Sequence, residues 1–329
     1  MNRTFLIMLD NTSKLKFHHI EDKNVVMEHK PDNSILRIFP NKNGTKLILQ
    51  HQNGEVNLFF TATESYHPIK LISDRVDKVL WDNENHNEFV IISGNAAFSY
   101  VISRNNIFGN IVSPVYEILS YENVENEEGD AAMTKVEKNT ICLSNGNIFY
   151  MSGGAINYVP LTSHAFLNNY KFQEDSFEGH SRYYFLNISL RRFQNSLLAA
   201  KYIKNQQCYD VLGTKALENL DLDTSLKSFQ MGKNLAMVLT LEQLIHENER
   251  DLLIGHVAMV LGHYDLAQEF YLKSSGPLNA LDMRCDIQDW FVALSLTKNI
   301  APELECFISK KLAIQTESQG NNTEALKQF

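Results

Sequence analysis

A chain of 329 residues has room for about two domains, and a hydrophobic content of 44% supplies real cores, which excludes wholesale disorder. The net charge of −9 is spread evenly: residues 1–165 hold 14 basic and 19 acidic side chains, and the remainder hold 16 and 20. Neither half has the basic excess that nucleic acid or an anionic membrane surface requires.

Residues 1–165 repeat one pattern, four to seven residues rich in Val, Ile, Phe, Tyr and Leu followed by a turn. Strands are predicted at 4–9, 14–20, 45–49, 56–61, 89–92, 98–102, 148–151 and 156–159. Asn43-Gly44, Asn53-Gly54, Gly94-Asn95, Asn145-Gly146 and Gly153-Gly154 punctuate them. Such pairs tolerate the positive φ angles of a tight hairpin. Regular short antiparallel strands imply a sandwich, a barrel or a propeller. The segment Pro40-Asn41-Lys42-Asn43-Gly44-Thr45-Lys46-Leu47 has the form of the turn before an inner strand of a WD-type blade. Blocks starting near Ile35, Val76 and Val115 recur at roughly the 40–45 residues of one blade. This half is therefore predicted to be an incomplete WD40-type β-propeller of about three to four blades. Trp81-Asp82 opens a block rather than closing one and carries little weight as a repeat signature.

Between Phe166 and Asn169 the period changes to three- and four-residue steps, and residues 166–329 are predicted to form a TPR-like α-solenoid. Leu253, Val257, Val260 and Leu261 are expected to share a helix face that Gly262 ends, with Tyr264, Ala267 and Tyr271 lining the next helix. Gly276-Pro277 separates this helix from another. An apolar, aromatic and small residue recur at three-residue steps as Leu190/Phe193/Ser196, Leu261/Tyr264/Ala267 and Ile287/Trp290/Ala293. In this reading the small residue lets helices approach and the aromatic fills the gap between hairpins. A helix from Pro302 to Gln319 and the start of another at Thr323 end the chain without a capping repeat.

Within the second half, Leu252, Leu253, Gly255, His256 and Ala258 precede Asp265, Leu266, Ala267 and Gln268, then Ala280, Leu281, Met283, Arg284, Asp286 and Trp290. Ala301-Pro302-Glu303 and Phe307-Ile308-Ser309 follow. In order and spacing these residues resemble the WD repeat-containing protein 19 family, the WD-repeat and tetratricopeptide core subunit of intraflagellar transport complex A. Weaker echoes occur at Asn43-Gly44-Thr45, Val79-Leu80-Trp81 and 161–167. Cys285 departs from the family's Arg-Arg pair, and the acidic stretch 122–130 has no counterpart. Family members are several times longer, so the resemblance covers the end of the second propeller and the first solenoid hairpins.

The cluster Glu122, Glu125, Glu127, Glu128 and Asp130 lacks calcium-loop spacing and is expected to be a solvated loop. His246-Glu247-Asn248-Glu249-Arg250 begins like a zincin helix, but Arg250 stands where the second His belongs. His18 and His19 alternate faces of a strand, and His256 and His263 have no carboxylate or cysteine completing a ligand set. A packing or buried hydrogen-bond role is expected for His256. Tyr264, Phe270, Tyr271 and Trp290 are expected to fill core rather than form a peptide groove. Cys142, Cys208, Cys285 and Cys306 have neither zinc nor redox spacing, which suits a reducing, cytosolic compartment. No apolar run approaches a membrane span.

These readings give a scaffold with no catalytic, cofactor or metal residues. The resemblance implies a subunit of complex A acting in retrograde ciliary transport, with other complex A subunits as partners and ciliary membrane proteins as indirect cargo. Packing or interface candidates are Leu253, Gly255, His256, Ala258, Tyr264, Ala267, Met283, Arg284, Asp286 and Trp290, with Arg284 and Trp290 foremost. The alternatives are a coatomer-like vesicle coat subunit, which shares the domain order, and a propeller hydrolase, which needs convergent carboxylates.

Overall fold

A computed structural model describes residues 5–10, 14–31, 33–117, 130–131, 133–137, 139–172 and 176–328. The first sheet contains β1 (Phe5–Leu9), β2 (Leu15–His19) and β3 (Val25–His29). The second contains β4 (Ile35–Pro40), β5 (Lys46–His51), β6 (Val56–Phe60) and β7 (Ser65–Pro68). The third orders β8 (Lys78–Trp81), β9 (Glu88–Ser93), β10 (Ala96–Asn106) and β11 (Gly109–Pro114). β12 (Tyr116–Glu117) and β13 (Asp130–Ala131) form a short pair, while β14 (Met133–Lys135) adds to β10. The last sheet contains β15 (Thr140–Ser144), β16 (Asn147–Ser152) and β17 (Ala155–Pro160).

All pairings within these sheets are antiparallel, and the turns between them explain why. Asn145 and Gly146 have φ of 47° and 71°, and Gly153 and Gly154 have 59° and 80°. Those angles match the right-handed twist of the strands they join. Sheets then pack face to face through apolar residues. Leu15 and Phe17 of the first sheet meet Ile35, Leu47, Leu49 and Phe59 of the second. Ile48, Leu58 and Phe60 meet Trp81, Phe89, Ile91 and Tyr100 of the third. Leu80, Val90, Ile92 and Ala97 meet Leu143 and Ile148 of the last. This is a β-propeller portion.

The even spacing of the blocks needs correction. A short sheet opens beside Val115, at Tyr116, but the step from β4 to β8 is 43 residues (35 to 78) and the next step to a sheet of three or more strands, at β15, is 62 (78 to 140). The third sheet takes β14 as an extra strand, and that lengthens the step. The turn at 41–45 leads, as expected, into an inner strand: β5 lies between β4 and β6 and is almost wholly buried.

Leu161 ends the strands, and the rest is helical: α1 (Thr162–Asn169), α2 (Phe177–Ser189), α3 (Phe193–Ile203), α4 (Gln206–Glu218), α5 (Leu222–Met231) and α6 (Leu235–Leu244). α7 (Arg250–Val260), α8 (Tyr264–Lys273), α9 (Leu278–Asp286) and α10 (Trp290–Ile300) follow. A 3-10 turn at Pro302–Leu304 precedes α11 (Glu305–Ser318) and α12 (Asn322–Gln328). Packing divides the chain later than secondary structure does. One compact unit is Met1–Leu212 and the other Gly213–Phe329, so α1, α2 and α3 belong with the sheets. Among the described residues, no helix is long and apolar enough to cross a membrane.

One turn is used repeatedly. Arg191, Leu220, Lys233, Gly262, Gln288 and Gly320 all adopt φ between 56° and 86°. In each case the next amide reaches back to a carbonyl five residues earlier: Arg192 to Asn187, Asp221 to Ala216, Asn234 to Phe229, His263 to Ala258, Asp289 to Arg284 and Asn321 to Thr316. This left-handed closure satisfies carbonyls that a helix end otherwise leaves unpaired. Asp221, Asn234 and Asp289 then cap the following helix, accepting from the amides of Thr224, Met237 and Val292.

The hairpins share a register around five of these six turns, the exception being Lys233, where Leu226 and Val238 are only half-buried. A buried residue stands seven positions before each of these five turns and another five positions after it: Tyr184 and Ser196, Gly213 and Ser225, Gly255 and Ala267, Leu281 and Ala293, Ala313 and Ala325; the Ser196 and Ser225 hydroxyls donate to the Tyr184 and Gly213 carbonyls. The later member is always Ser or Ala, which lets the two helix backbones approach. Four residues further on, volume compensates the first member. Tyr184 is matched by Ala200, Leu281 by Thr297, and the glycines Gly213 and Gly255 by Phe229 and Tyr271.

Candidate functional site

Two polar constellations stand out in otherwise apolar surroundings, one in each unit. The first is built where the last two sheets meet the first helices. Asp82 follows β8 and is 2% exposed. Its carboxylate accepts from the amides of Gly146 at 2.8 Å, Asn145 at 3.1 Å, Glu84 at 2.8 Å and Asn85 at 3.1 Å. Burial pushes its pKa up, but those amide donors, led by Gly146, hold it below the ordinary carboxylate value. A Cβ on Gly146 would fall 2.2 Å from the ring of His164 in α1, so glycine is needed there for space as well as for φ. His164 in turn lies 3.3 Å from Glu88, and Arg192 at the start of α3 donates to Glu88 at 3.2 Å. Glu88 is 5% exposed and also accepts from Asn85 at 2.7 Å. Sheet and first helical hairpin are thereby fastened through one buried carboxylate.

Sequence reading gave Trp81-Asp82 little weight. Yet Trp81 donates its indole N–H to the Phe39 carbonyl at 3.0 Å, and Asp82 ties the turn after β8 to the turn after β15. The available signal was Asp82 preceding an Asn-rich turn, an Asx-type acceptor for amides two and three residues on.

The second constellation contains most of the sequence-predicted candidates. Gly255, Ala258, Ala267, Met283 and Arg284 are buried, while Leu253, His256 and Trp290 are half-buried. Tyr264 and Asp286 are exposed. The buried side of α7 is therefore Ile254, Gly255, Val257 and Ala258 rather than Leu253, Val257, Val260 and Leu261. Tyr264, 38% exposed, does not fill the gap between helices; Tyr271 does, because Gly255 opposite it has no side chain. The Tyr271 hydroxyl meets His256 Nδ1 at 2.8 Å. Burial lowers the His256 pKa and pushes the Tyr271 phenol up to about 12, so at neutral pH this is a pair of uncharged groups.

Arg284 is 6% exposed and is an internal clamp. Its Nε donates to Gln268 at 2.8 Å, one terminal nitrogen to Asp265 at 2.5 Å and the other to Asp289 at 3.1 Å. One planar guanidinium thus joins α8, α9 and the cap of α10. Trp290 packs half-buried against the core containing Ala267, Tyr271, Met283 and Ala293. Phe270 is half-buried with the Lys273 ammonium 5.4 Å from its ring centre.

The acidic cluster Glu122, Glu125, Glu127 and Glu128 lies outside the described residues, as does the side chain of Asp130. Among the described residues, no group of His, Cys, Asp and Glu is placed to hold a metal ion, and the four cysteines are free thiols.

Residues 1–125 match the family model described as the WDR19 second beta-propeller. The chain is 29% identical to human WD repeat-containing protein 19 over 331 aligned residues, which cover 99% of this chain and 23% of that protein. The Mus musculus counterpart is 27% identical with the same coverage. The Caenorhabditis elegans WD repeat-containing protein dyf-2 is 33% identical over 114 residues, 35% of this chain and 8% of that protein. The chain thus spans under a quarter of the length of the relatives it matches. Sheets, junction and hairpins all fall within the aligned span, and the chain is a partial-length match to the WD repeat-containing protein 19 family.

Proposed function

We propose that this chain is a non-catalytic scaffold segment of intraflagellar transport complex A. It acts in retrograde ciliary transport, cilium assembly and the trafficking of ciliary membrane proteins. The observation that carries this reading is the continuity of the match, which runs through the propeller portion, across the junction and along the hairpins for 99% of the chain. Residues 1–165 supply the propeller portion and 166–329 the solenoid. Its partners are other complex A subunits, held through extended surfaces with aromatic and arginine anchors rather than through a cofactor. The buried clamp of Arg284 keeps adjacent hairpins in fixed relation and the Gly255–Tyr271 contact closes one of them, which is what a scaffold surface needs. Tyr264 and Asp286, both exposed, are the signature positions available to a partner.

Affinity purification of the tagged chain from ciliated cells tests this. Complex A subunits are the expected co-purifying proteins. Recovery of vesicle-coat subunits in their place would transfer the chain to the coatomer-like alternative.

A further inference from the structure

Asn-Gly occurs three times in this chain, at Asn43-Gly44, Asn53-Gly54 and Asn145-Gly146. The dipeptide carries a reactivity of its own. A glycine amide nitrogen, unhindered by a Cβ, is able to attack the side-chain carbonyl of the asparagine before it. The fold treats the three sites differently.

Gly146 is buried, and its amide donates to the Asp82 carboxylate at 2.8 Å. An amide must lose its proton to become a nucleophile, and an anion bonded to that proton opposes the loss. Gly44 is buried too, away from solvent base, with its amide on the Asn41 carbonyl at 3.1 Å. The turn from β5 to β6 is open by contrast: Gln52, Asn53, Gly54 and Glu55 are all exposed. Gly54, at φ 90°, gives its amide to a neutral acceptor, the His51 carbonyl at 3.1 Å.

The Asn53 carboxamide is also held at both ends by one residue. Its Oδ1 accepts from the Glu55 backbone amide at 3.0 Å, and its Nδ2 donates to the Glu55 carboxylate at 2.8 Å. The first contact places a donor where negative charge gathers when Cγ is attacked. The second places a proton carrier on the nitrogen that must leave.

We propose that Asn53 is a self-modification site, deamidated through a succinimide with Glu55 as the assisting residue. The Gly54 nitrogen, its proton taken by solvent, bonds to Asn53 Cγ. The Cγ–Nδ2 bond breaks, and ammonia leaves with a proton delivered by way of Glu55. Water then opens the ring at either carbonyl, leaving aspartate, or isoaspartate with the backbone rerouted through Cγ. A carboxamide and one water thus become a carboxylate and ammonia, with no other reactant. The new carboxylate stands where Nδ2 donated to Glu55, so a hydrogen bond inside the turn becomes a repulsion between like charges. The inference rests on this turn alone and is independent of the ciliary assignment.

Incubation of the full chain in mildly alkaline buffer, then peptide mapping that separates aspartate from isoaspartate, reads all three sites at once. In the folded chain Asn53 should convert about tenfold or more faster than Asn145, whose glycine amide must first leave a charged acceptor. Asn43 should also lag behind Asn53. In urea the gap should close, because the fold makes it. Glu55→Gln keeps the backbone donor but loses the proton carrier, and should slow Asn53 about tenfold or more while leaving Asn145 unchanged. Conversion of Asn145 or Asn43 as fast as that of Asn53 in the folded chain overturns the proposal, as does an unchanged Asn53 rate in Glu55→Gln. A gap that persists in urea assigns the preference to local sequence and overturns it as well.

Discussion

The ring of Tyr271 occupies the space that a side chain on Gly255 would need: a Cβ there would stand 2.7 Å from two ring carbons. The ring cannot retreat, because its hydroxyl is held by His256 at 2.8 Å. Exchanging glycine for alanine in a helix ordinarily gains about 1 kcal/mol, whereas overpacking costs about 1–3 kcal/mol. Overpacking wins here, so Gly255→Ala should lower unfolding free energy by up to about 2 kcal/mol. In a Tyr271→Leu background the sign should reverse. Urea denaturation of the four variants checks this, and a stabilising Gly255→Ala in the native background would contradict the contact.

Left-handed turn positions give the opposite prediction. Gln288 and Lys233 hold φ of 60° and 58° with a Cβ that this conformation disfavours. Gln288→Gly and Lys233→Gly should each raise stability by up to about 1 kcal/mol, and Gly262→Ala should lower it by a similar amount. Thermal unfolding of the three variants reads this directly. A loss at either Gln288 or Lys233 would mean that its side chain does more than tolerate the turn.

Lys46 makes stability depend on pH. Its side chain is fully buried and donates to the His86 carbonyl at 2.5 Å and to Asn87 at 2.7 Å. Burial, reinforced by the nearby Arg104 charge, lowers its pKa from 10.5 to about 8. Below pH 8 the lysine is charged in both folded and unfolded chains, and the folded state bears the whole desolvation cost. Between pH 8 and 10.5 the folded chain releases its proton first, so this contribution to stability rises with pH, by on the order of 3 kcal/mol across the window. Other groups titrate too, so the quantity to follow is native minus Lys46→Met between pH 7.5 and 10. A flat difference would show that Lys46 is not desolvated.

Arg284 should behave as an interior clamp. Arg284→Ala removes the guanidinium donors to Gln268 and Asp289 and should cost about 2–3 kcal/mol. Asp265→Asn should cost under about 1 kcal/mol, because the Asp265 side chain is 99% exposed and its pairing is screened by water. Arg284→Lys should not rescue, since one ammonium cannot span three acceptors. A double-mutant cycle on Arg284 and Asp289 gives the coupling, and a coupling near zero would remove the clamp.

Local patterns carried much of the fold. The Asn-Gly pair at 145–146 and the Gly-Gly pair at 153–154 announce their hairpins because positive φ leaves a chemical mark in the sequence. The three-step motif located Ser196, Ala267 and Ala293, the small residues at which helices close, since those positions are all fully buried. It missed the hairpin of α4 and α5, where Leu222 stands in place of the aromatic residue and Ser225 is the small one. Through-space relations were the illegible part. Nothing local marks Tyr271, rather than Tyr264, as the ring facing Gly255, or Glu88 as the acceptor for an arginine 104 positions away. The extra strand β14 likewise stretched the blade interval and hid the start of the last sheet at Thr140.

We propose that this chain moves with the retrograde ciliary train. Live imaging of the fluorescently tagged full chain in ciliated cells tests it most directly. The account predicts discrete particles entering the cilium and returning from tip to base together with labelled complex A. A tag confined to vesicle coats in the cell body, with no particle moving along the axoneme, would contradict it.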